Sequence, residues 1–103
     1  MKNKAQNNID SEPQYVPLFA LGKVFTTIGA KEEIPTTDIL VALIRHCSGD
    51  WESLCEQDIE QNRLALIHGE RIFSRYTSRE GVRFWIITES DRSSTTVLLP
   101  SEY

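Results

Sequence analysis

Long apolar runs are missing from this chain of 103 residues. No stretch approaches the roughly 20 apolar residues that a membrane-spanning helix needs, so we expect no membrane segment. The charged start is followed by no apolar core, so we also expect no secretion signal. Cysteine is scarce, with Cys47 and Cys55 alone. We therefore expect a cytoplasmic protein in which both cysteines are reduced and buried.

Glycine-rich loops and recognisable catalytic motifs are also lacking. The five glycines stand singly, which is typical of turns and helix ends rather than of a phosphate-binding loop. His46, Cys47, Cys55 and His68 match no familiar zinc spacing, because such sites use closely paired ligands. A Cys55 nucleophile beside either histidine stays an alternative without a local signature. We expect no metal, no cofactor and no catalytic residue. The sequence favours a protein that is not an enzyme, but it does not decide whether the protein has a catalytic activity.

A basic surplus, the usual mark of a nucleic-acid-binding domain, is absent too. The chain has 15 acidic residues against 11 lysines and arginines, and a net charge of −4. Residues 32–60 contain eight acidic residues and one arginine, whereas residues 63–92 contain six arginines and four acidic residues. This pattern predicts an acidic helical region beside an arginine-bearing sheet, and it disfavours nucleic acid as the partner.

What the sequence does have is a β-rich ending. The runs Arg71–Thr77, Val82–Thr88 and Thr95–Leu99 are rich in β-branched and aromatic residues, and turn residues separate them. They predict a three-stranded meander. An earlier strand is predicted within Val16–Thr27, at a sheet edge, because Pro17 has no N–H to donate.

Helical patterns fill the middle of the chain. Thr27 caps one predicted turn over Ile28–Glu33. A strongly apolar helix follows Pro35, and a further helix runs from an N-cap at Asp50 to Gly69. The fold class is therefore α+β, with two main helices packed on a three- to four-stranded antiparallel sheet. The main elements come in the order strand, helix, helix, strand, strand, strand.

One domain is expected over residues 15–103, and residues 1–14 have too few apolar side chains to order themselves, so they predict a disordered tail. Asn62 interrupts an apolar stripe and needs a hydrogen-bond partner if it is buried. The predicted core consists of Leu40, Leu43, Ile44, Trp51, Leu54, Ile59, Phe84 and Ile86.

The strand Val82–Thr88 is apolar on both faces, which predicts cover on both sides of the sheet. We expect Trp85 and Ile87 to share the second face with Ile72 and Tyr76. The cover is either the N-terminal region, a second copy of the chain in a homodimer, or another protein partner.

Arginines beside aromatic residues in the predicted sheet resemble a surface that stacks bases and binds phosphates. A dense polar group follows at the end of the second strand, where its ordinary role is to form turns and ion pairs. The candidate binding residues from both groups are Arg71, Arg75, Arg83, Trp85, Glu89, Asp91 and Arg92.

Residues 21–103 resemble a family of small proteins encoded on plasmids and integrative conjugative elements. These are called plasmid-related proteins and are sometimes labelled type I restriction subunit M. The matching residues are LGKV with Gly29–Ala30, RHCSGDW with Leu54 and Cys55, then Arg71, Ser74, Tyr76 and WIITESDRSSTTVLLPSEY. Alanine is usual in the family where Ser90 stands. The resemblance implies a mobile-element context and no known reaction.

The order of elements also resembles that of bacterial toxins that cleave messenger RNA on the ribosome and of their gyrase-poisoning relatives. Those toxins are basic, whereas this chain is acidic. We therefore expect a non-enzymatic accessory protein of a mobile element that acts by protein–protein contact, in a role that counters host defence. The alternative is a toxin-like protein that binds or cleaves RNA with Arg71, Arg75, Arg83, Arg92 and Tyr76.

Overall fold

The computed structural model describes residues 15–103, and the disorder expected for residues 1–14 lies outside them. The elements are β1 (Lys23–Thr26), α1 (Ile28–Glu33), α2 (Thr36–Cys47), α3 (Glu56–His68), β2 (Ile72–Thr77), β3 (Arg83–Thr88), β4 (Ser94–Leu98) and a 3₁₀ turn (Pro100–Glu102). The predicted α+β class, element order and meander are confirmed. Thr27 caps α1 as predicted, because its side chain accepts a hydrogen bond from the Ala30 amide.

The four strands form one mixed sheet in the order β1-β4-β3-β2. Strands β2, β3 and β4 pair antiparallel, whereas β1 runs parallel to β4. Amides at the two ends of β1 donate to carbonyls of the β4 side, Lys23 to Ser93 and Thr27 to Val97, each at 3.0 Å. The fully antiparallel sheet that we expected is therefore wrong at this edge. Hairpins force antiparallel neighbours, but no hairpin joins β1 to β4.

The helix α3 begins at Glu56, not directly after Asp50 as predicted. The Asp50 carboxylate accepts a hydrogen bond of 2.8 Å from Arg45 Nε, so it is not the cap of this helix. Trp51 and Leu54 lie in the turn before α3 and are 3% and 5% exposed. Both residues are in the core as predicted, but a non-helical segment places them there.

The helix α2 packs on the sheet with Leu43 turned inwards, at 7% exposure. Leu40 and Ile44 were predicted to join it, but they are 54% and 50% exposed. The inward stripe instead follows the i, i+3, i+4 spacing from Ile39. Because residues 39–44 are all apolar, the sequence did not define which side of this helix is buried.

Asn62 joins α3 to the outer edge of β2. Its side-chain amide donates to the Phe73 carbonyl at 2.6 Å, and its carbonyl oxygen accepts from the Phe73 amide at 3.2 Å. Asn62 is 4% exposed, so the expectation that it hydrogen-bonds when buried is confirmed. Ser53 also donates to the Arg75 carbonyl on this edge, so side chains occupy backbone groups that an edge strand otherwise leaves unpaired.

Candidate binding surface on the open sheet face

The register of β2 and β3 divides the sheet into two faces. Residues directly opposite one another share a face. The helix-covered face contains Ile72, Ser74, Tyr76, Phe84, Ile86, Thr88, Thr95 and Val97. The open face contains Phe73, Arg75, Thr77, Arg83, Trp85, Ile87, Thr96 and Leu98.

This register corrects one expectation about the second face. Trp85 and Ile87 do share it, but Ile72 and Tyr76 lie on the helix-covered face. Phe73, which is paired with Ile87, takes the place expected for Ile72. The reason is that a shift of one residue in strand pairing moves every side chain to the opposite face.

Trp85 is the centre of an aromatic cluster on the open face. Its ring centroid lies 5.2 Å from that of Phe73 and 5.6 Å from that of Tyr103, both in edge-to-face geometry. Tyr103 reaches the sheet because the 3₁₀ turn is tied to the start of α1: the Glu102 carboxylate accepts from the amides of Leu99 at 2.8 Å and Gly29 at 3.1 Å. The end of the described chain thus covers part of this face.

Two clefts flank Trp85. The arginine cleft, of about 270 Å³, is lined by Ser53, Arg75, Tyr76, Thr77, Arg83 and Trp85. The aromatic cleft, of about 260 Å³, is lined by Arg71, Phe73, Trp85, Ile87 and Tyr103. The indole of Trp85 belongs to both, so one side chain separates a cationic recess from an apolar one.

The candidate arginines have different surroundings. Arg71 lies 3.5 Å from the Glu89 carboxylate. Arg75 and Arg83 are exposed, and within residues 15–103 neither guanidinium has a hydrogen bond or an ion pair. Because they lie on the open face beside Trp85, they leave two uncompensated positive charges at the arginine cleft.

Arg92 has a local structural role at the end of α3. Its guanidinium donates to the carbonyls of Ala65 at 3.1 Å, Glu70 at 2.5 Å and Glu89 at 3.1 Å. Ala65 lies in the last turn of α3 and Glu89 directly follows β3, so these bonds tie the end of the helix to the turn between β3 and β4. Asp91 also acts locally, because its carboxylate accepts from the Ser93 amide at 3.0 Å. Hydrogen bonds from Ser93 lower the pKa of Asp91.

The structure therefore brings together Arg75, Arg83 and Trp85. The ion pair of Arg71 and Glu89 lies at the far side of Trp85, on the aromatic cleft. Asp91 and Arg92 belong to the turn between β3 and β4, away from both clefts. The sequence predicted the arginine and aromatic composition of the surface but not which arginines are already paired.

Sequence reasoning missed a buried polar network under the opposite face. His46 Nδ1 lies 2.5 Å from Ser74 Oγ and its Nε2 lies 2.8 Å from Thr88 Oγ1. Thr88 Oγ1 is 2.7 Å from Thr95 Oγ1, which donates to the Leu21 carbonyl at 2.7 Å. The available signal in the sequence is that each meander strand has one polar residue among those on its inward face: Ser74, Thr88 and Thr95.

This network is structural, because no substrate can reach it. The side chains of His46 and Ser74 are 0% exposed. Burial, with a smaller contribution from the charge of Arg92, lowers the pKa of His46 to about 3, so the imidazole is neutral at physiological pH. The serine and histidine therefore bind each other within the core and do not form an accessible nucleophile.

The cysteines differ from each other. Cys47 is buried as expected, whereas Cys55 is exposed because it is the residue that precedes the first turn of α3. In the part of the chain that the structure describes, no group of three or more histidine, cysteine or acidic side chains is placed to hold a metal ion. None of the helices described there has the length and apolar character to cross a membrane.

Comparisons with known proteins assign no family to this chain. Neither the protein-family models, nor the curated proteins, nor the solved structures gave a match. The fold and its surface therefore define only a structural class: a small α+β domain in which helices cover one face of the sheet and the other face is partly open. The function is argued from that open face.

Proposed function

We propose that this protein is a non-enzymatic binding module that acts by protein–protein contact through its open sheet face. The observation that supports this proposal is the position of Arg75 and Arg83, exposed and unpaired within residues 15–103, beside the half-buried Trp85. Arginine and tryptophan are the residues most enriched where protein interfaces gain their binding energy. Among the described residues, those that line the arginine cleft include no carboxylate, so none of them opposes an anionic group there.

The chemistry of the cleft weighs against the RNA-cleaving alternative. That alternative needs Tyr76 to act with the arginines, but the Tyr76 hydroxyl donates to the Asp50 carbonyl at 2.9 Å and the residue is 4% exposed. Burial raises the pKa of Tyr76 to about 12, which is far from the neutral range where a general acid or base is effective. The cleft lining includes no histidine, cysteine or carboxylate.

The biological setting is part of the proposal. The resemblance to proteins of plasmids and integrative conjugative elements supports a role as a mobile-element accessory protein. We propose that such a protein works in the host cytoplasm and counters host defence by binding to a defence protein. The exposed acidic residues of α3, including Glu56 and Glu60, give the helix a negatively charged surface, in contrast to the positively charged arginine cleft.

Affinity capture from a bacterial host extract tests this function. The double variant Arg75→Glu/Arg83→Glu should lose a protein that the wild type captures, because it reverses both free charges. The control Arg63→Glu changes an arginine on α3 whose side chain is 65% exposed and should capture the protein as the wild type does. Capture that is equal for all three proteins would place the interaction elsewhere and refute the proposal.

Light scattering separates a homodimer from a foreign partner. If a second copy occupies the open face, purified wild type should have twice the mass of the chain, and the double charge-reversal variant should be monomeric. Trp85→Arg places a charge in the same patch and should then weaken association more than folding. A Trp85→Arg protein that only loses stability, with its mass unchanged, would identify Trp85 as ordinary core.

A further inference from the structure

We infer that the two clefts beside Trp85 recognise an extended peptide segment with an acidic side chain four residues away from an apolar one. The acidic side chain enters the arginine cleft, and the apolar side chain enters the aromatic cleft. This inference rests on the proposed protein–protein function and specifies the chemistry of the partner.

The charge pairing of the whole domain points to the arginine cleft. Among residues 15–103, five of the seven arginines have a carboxylate or carbonyl partner, and the two without one are Arg75 and Arg83. In an acidic domain, carboxylates are available to neutralise exposed arginines. That both unpaired arginines lie at one cleft makes this cleft the surface that best complements a carboxylate from another molecule.

The strand register makes these two arginines diagonal neighbours on one face, and both line the arginine cleft. Arg75 lies directly opposite Trp85, and Arg83 precedes Trp85 by two residues on the same face. Diagonal neighbours of this kind have Cα atoms about 7–8 Å apart, which is within reach of long side chains. Two planar guanidinium groups at this spacing suit a carboxylate, because arginine binds carboxylate oxygens in a bidentate manner.

The aromatic cleft supplies the second half of the recognition. Phe73 and Tyr103 both contact the Trp85 indole, and Ile87, which is 6% exposed, also lines this cleft. Arg71, at its margin, is already paired with Glu89, so this cleft offers apolar surface rather than free charge. An aliphatic or aromatic side chain is the ligand that such a recess stabilises.

The spacing of the two clefts follows the strand. Arg83, Trp85 and Ile87 are successive residues on one face of β3, so positions on this face repeat about every 6.6 Å and the two positions that flank Trp85 lie about 13 Å apart. An extended peptide that lies along β3 repeats its own side chains at the same interval. An acidic residue and an apolar residue at positions i and i+4, in either chain direction, therefore fit the two clefts together, with the side chain at i+2 above Trp85.

Nucleic acid fits this surface less well. Single-stranded nucleic acid needs a run of cations along its backbone and open aromatic faces for its bases. Here two unpaired cations stand together in a domain of net negative charge. Phe73 and Tyr103 contact the Trp85 ring in edge-to-face geometry, so the three rings do not form a row of parallel faces on which successive bases stack.

Selection from a random peptide display library tests this inference with the full chain as bait. Enriched peptides should carry Asp or Glu four residues from Leu, Ile, Phe or Met. A fluorescent version of the best peptide, measured by polarisation, should bind at least about tenfold more weakly when its acid is changed to the amide, a loss of about 1.4 kcal/mol. The same loss is expected when its apolar residue is changed to serine.

Matched variants complete the test. Arg75→Gln/Arg83→Gln should bind the selected peptide at least tenfold more weakly than Arg63→Gln, and it should no longer distinguish acid from amide. No enrichment, enrichment without an acid, or equal binding by both variants would overturn the inference. So would tighter binding of a twelve-nucleotide single-stranded RNA that the double variant abolishes.

The inference and the proposed function fail differently. Capture of a protein that depends on Arg75 and Arg83, combined with peptides that lack the acidic residue, would leave the proposed function standing and refute the peptide chemistry. Capture that ignores both arginines would refute the function itself.

Discussion

The two faces of the sheet differ in whether their polar side chains are buried and hydrogen-bonded or exposed and unpaired. On the helix-covered face, His46, Ser74, Thr88 and Thr95 are fully buried and bond to one another. On the open face, Arg75 and its neighbour Arg83 are exposed and, among the described residues, have no partner. The same three meander strands thus carry a closed polar network on one side and free charges on the other.

This difference separates structural polarity from functional polarity. A buried polar group without a hydrogen bond costs free energy, so the covered side tolerates polar residues only as a completed set. An exposed arginine is solvated and costs the fold little, so it can be kept free for another molecule. We therefore expect substitutions under the helices to change stability and substitutions on the open face to change binding.

The largest expected effect compares two leucines of α2. Leu43→Ala should lower the free energy of unfolding by about 2–5 kcal/mol, because it leaves a cavity in the core. Leu40→Ala on the same helix should cost less than about 1 kcal/mol, because Leu40 is 54% exposed. Urea unfolding measures both. Equal losses would mean that α2 is rotated relative to the arrangement described.

A second test removes the link between α3 and β2. Asn62→Ala should cost about 1–3 kcal/mol, because it removes both hydrogen bonds to the Phe73 backbone at a buried position. The exposed neighbour Gln61 supplies the control, and Gln61→Ala should change the unfolding free energy by less than about 0.5 kcal/mol. A neutral Asn62→Ala would mean that water replaces the amide without loss.

The His46 network predicts a dependence of stability on pH. The folded pKa of about 3 lies below the ordinary value of 6.5. Between these values the unfolded chain binds a proton that the folded chain does not. Stability is therefore greatest above pH 6.5, and it should fall by about 1.5 kcal/mol from pH 6.5 to pH 5.

Removal of the His46 imidazole tests whether this residue causes the dependence of stability on pH. His46→Leu should flatten the dependence between pH 6.5 and pH 5, whatever its effect on absolute stability, whereas His68→Gln, at the exposed end of α3, should keep it. Urea unfolding at four pH values gives the slopes. A His46→Leu protein with the wild-type slope would show that another group causes the dependence.

The smallest effect is expected on the open face. Arg75→Gln/Arg83→Gln should change the unfolding free energy by less than about 0.5 kcal/mol, because neither guanidinium has a hydrogen bond or an ion pair to lose within the described chain. Arg92→Gln should cost more than about 1 kcal/mol, because Arg92 bonds to three carbonyls around the end of α3. If the double variant is the less stable of the two, the unpaired state of its arginines is wrong.

The meander illustrates how far sequence reasoning reaches. β-branched and aromatic residues between turns predicted β2, β3 and β4 within a residue or two of their observed bounds. The pairing register was beyond reach, because Val82–Thr88 is apolar at consecutive positions and gives no alternation to define its faces. For that reason the second face was predicted with Trp85 and Ile87, which do lie there, but also with Ile72 and Tyr76, which lie on the opposite face.

The sequence by itself determined four features of this protein: the α+β class, the element order, the acidic middle and the arginine-rich sheet. These follow from propensity, turn residues and charge, which act over a few neighbouring positions. The tertiary structure alone decided that β1 runs parallel to β4, that α2 exposes Leu40, and that Arg92 caps a helix while Arg75 stays free. Each of these depends on contacts between residues far apart in the chain, and no local pattern of residues encodes such a contact.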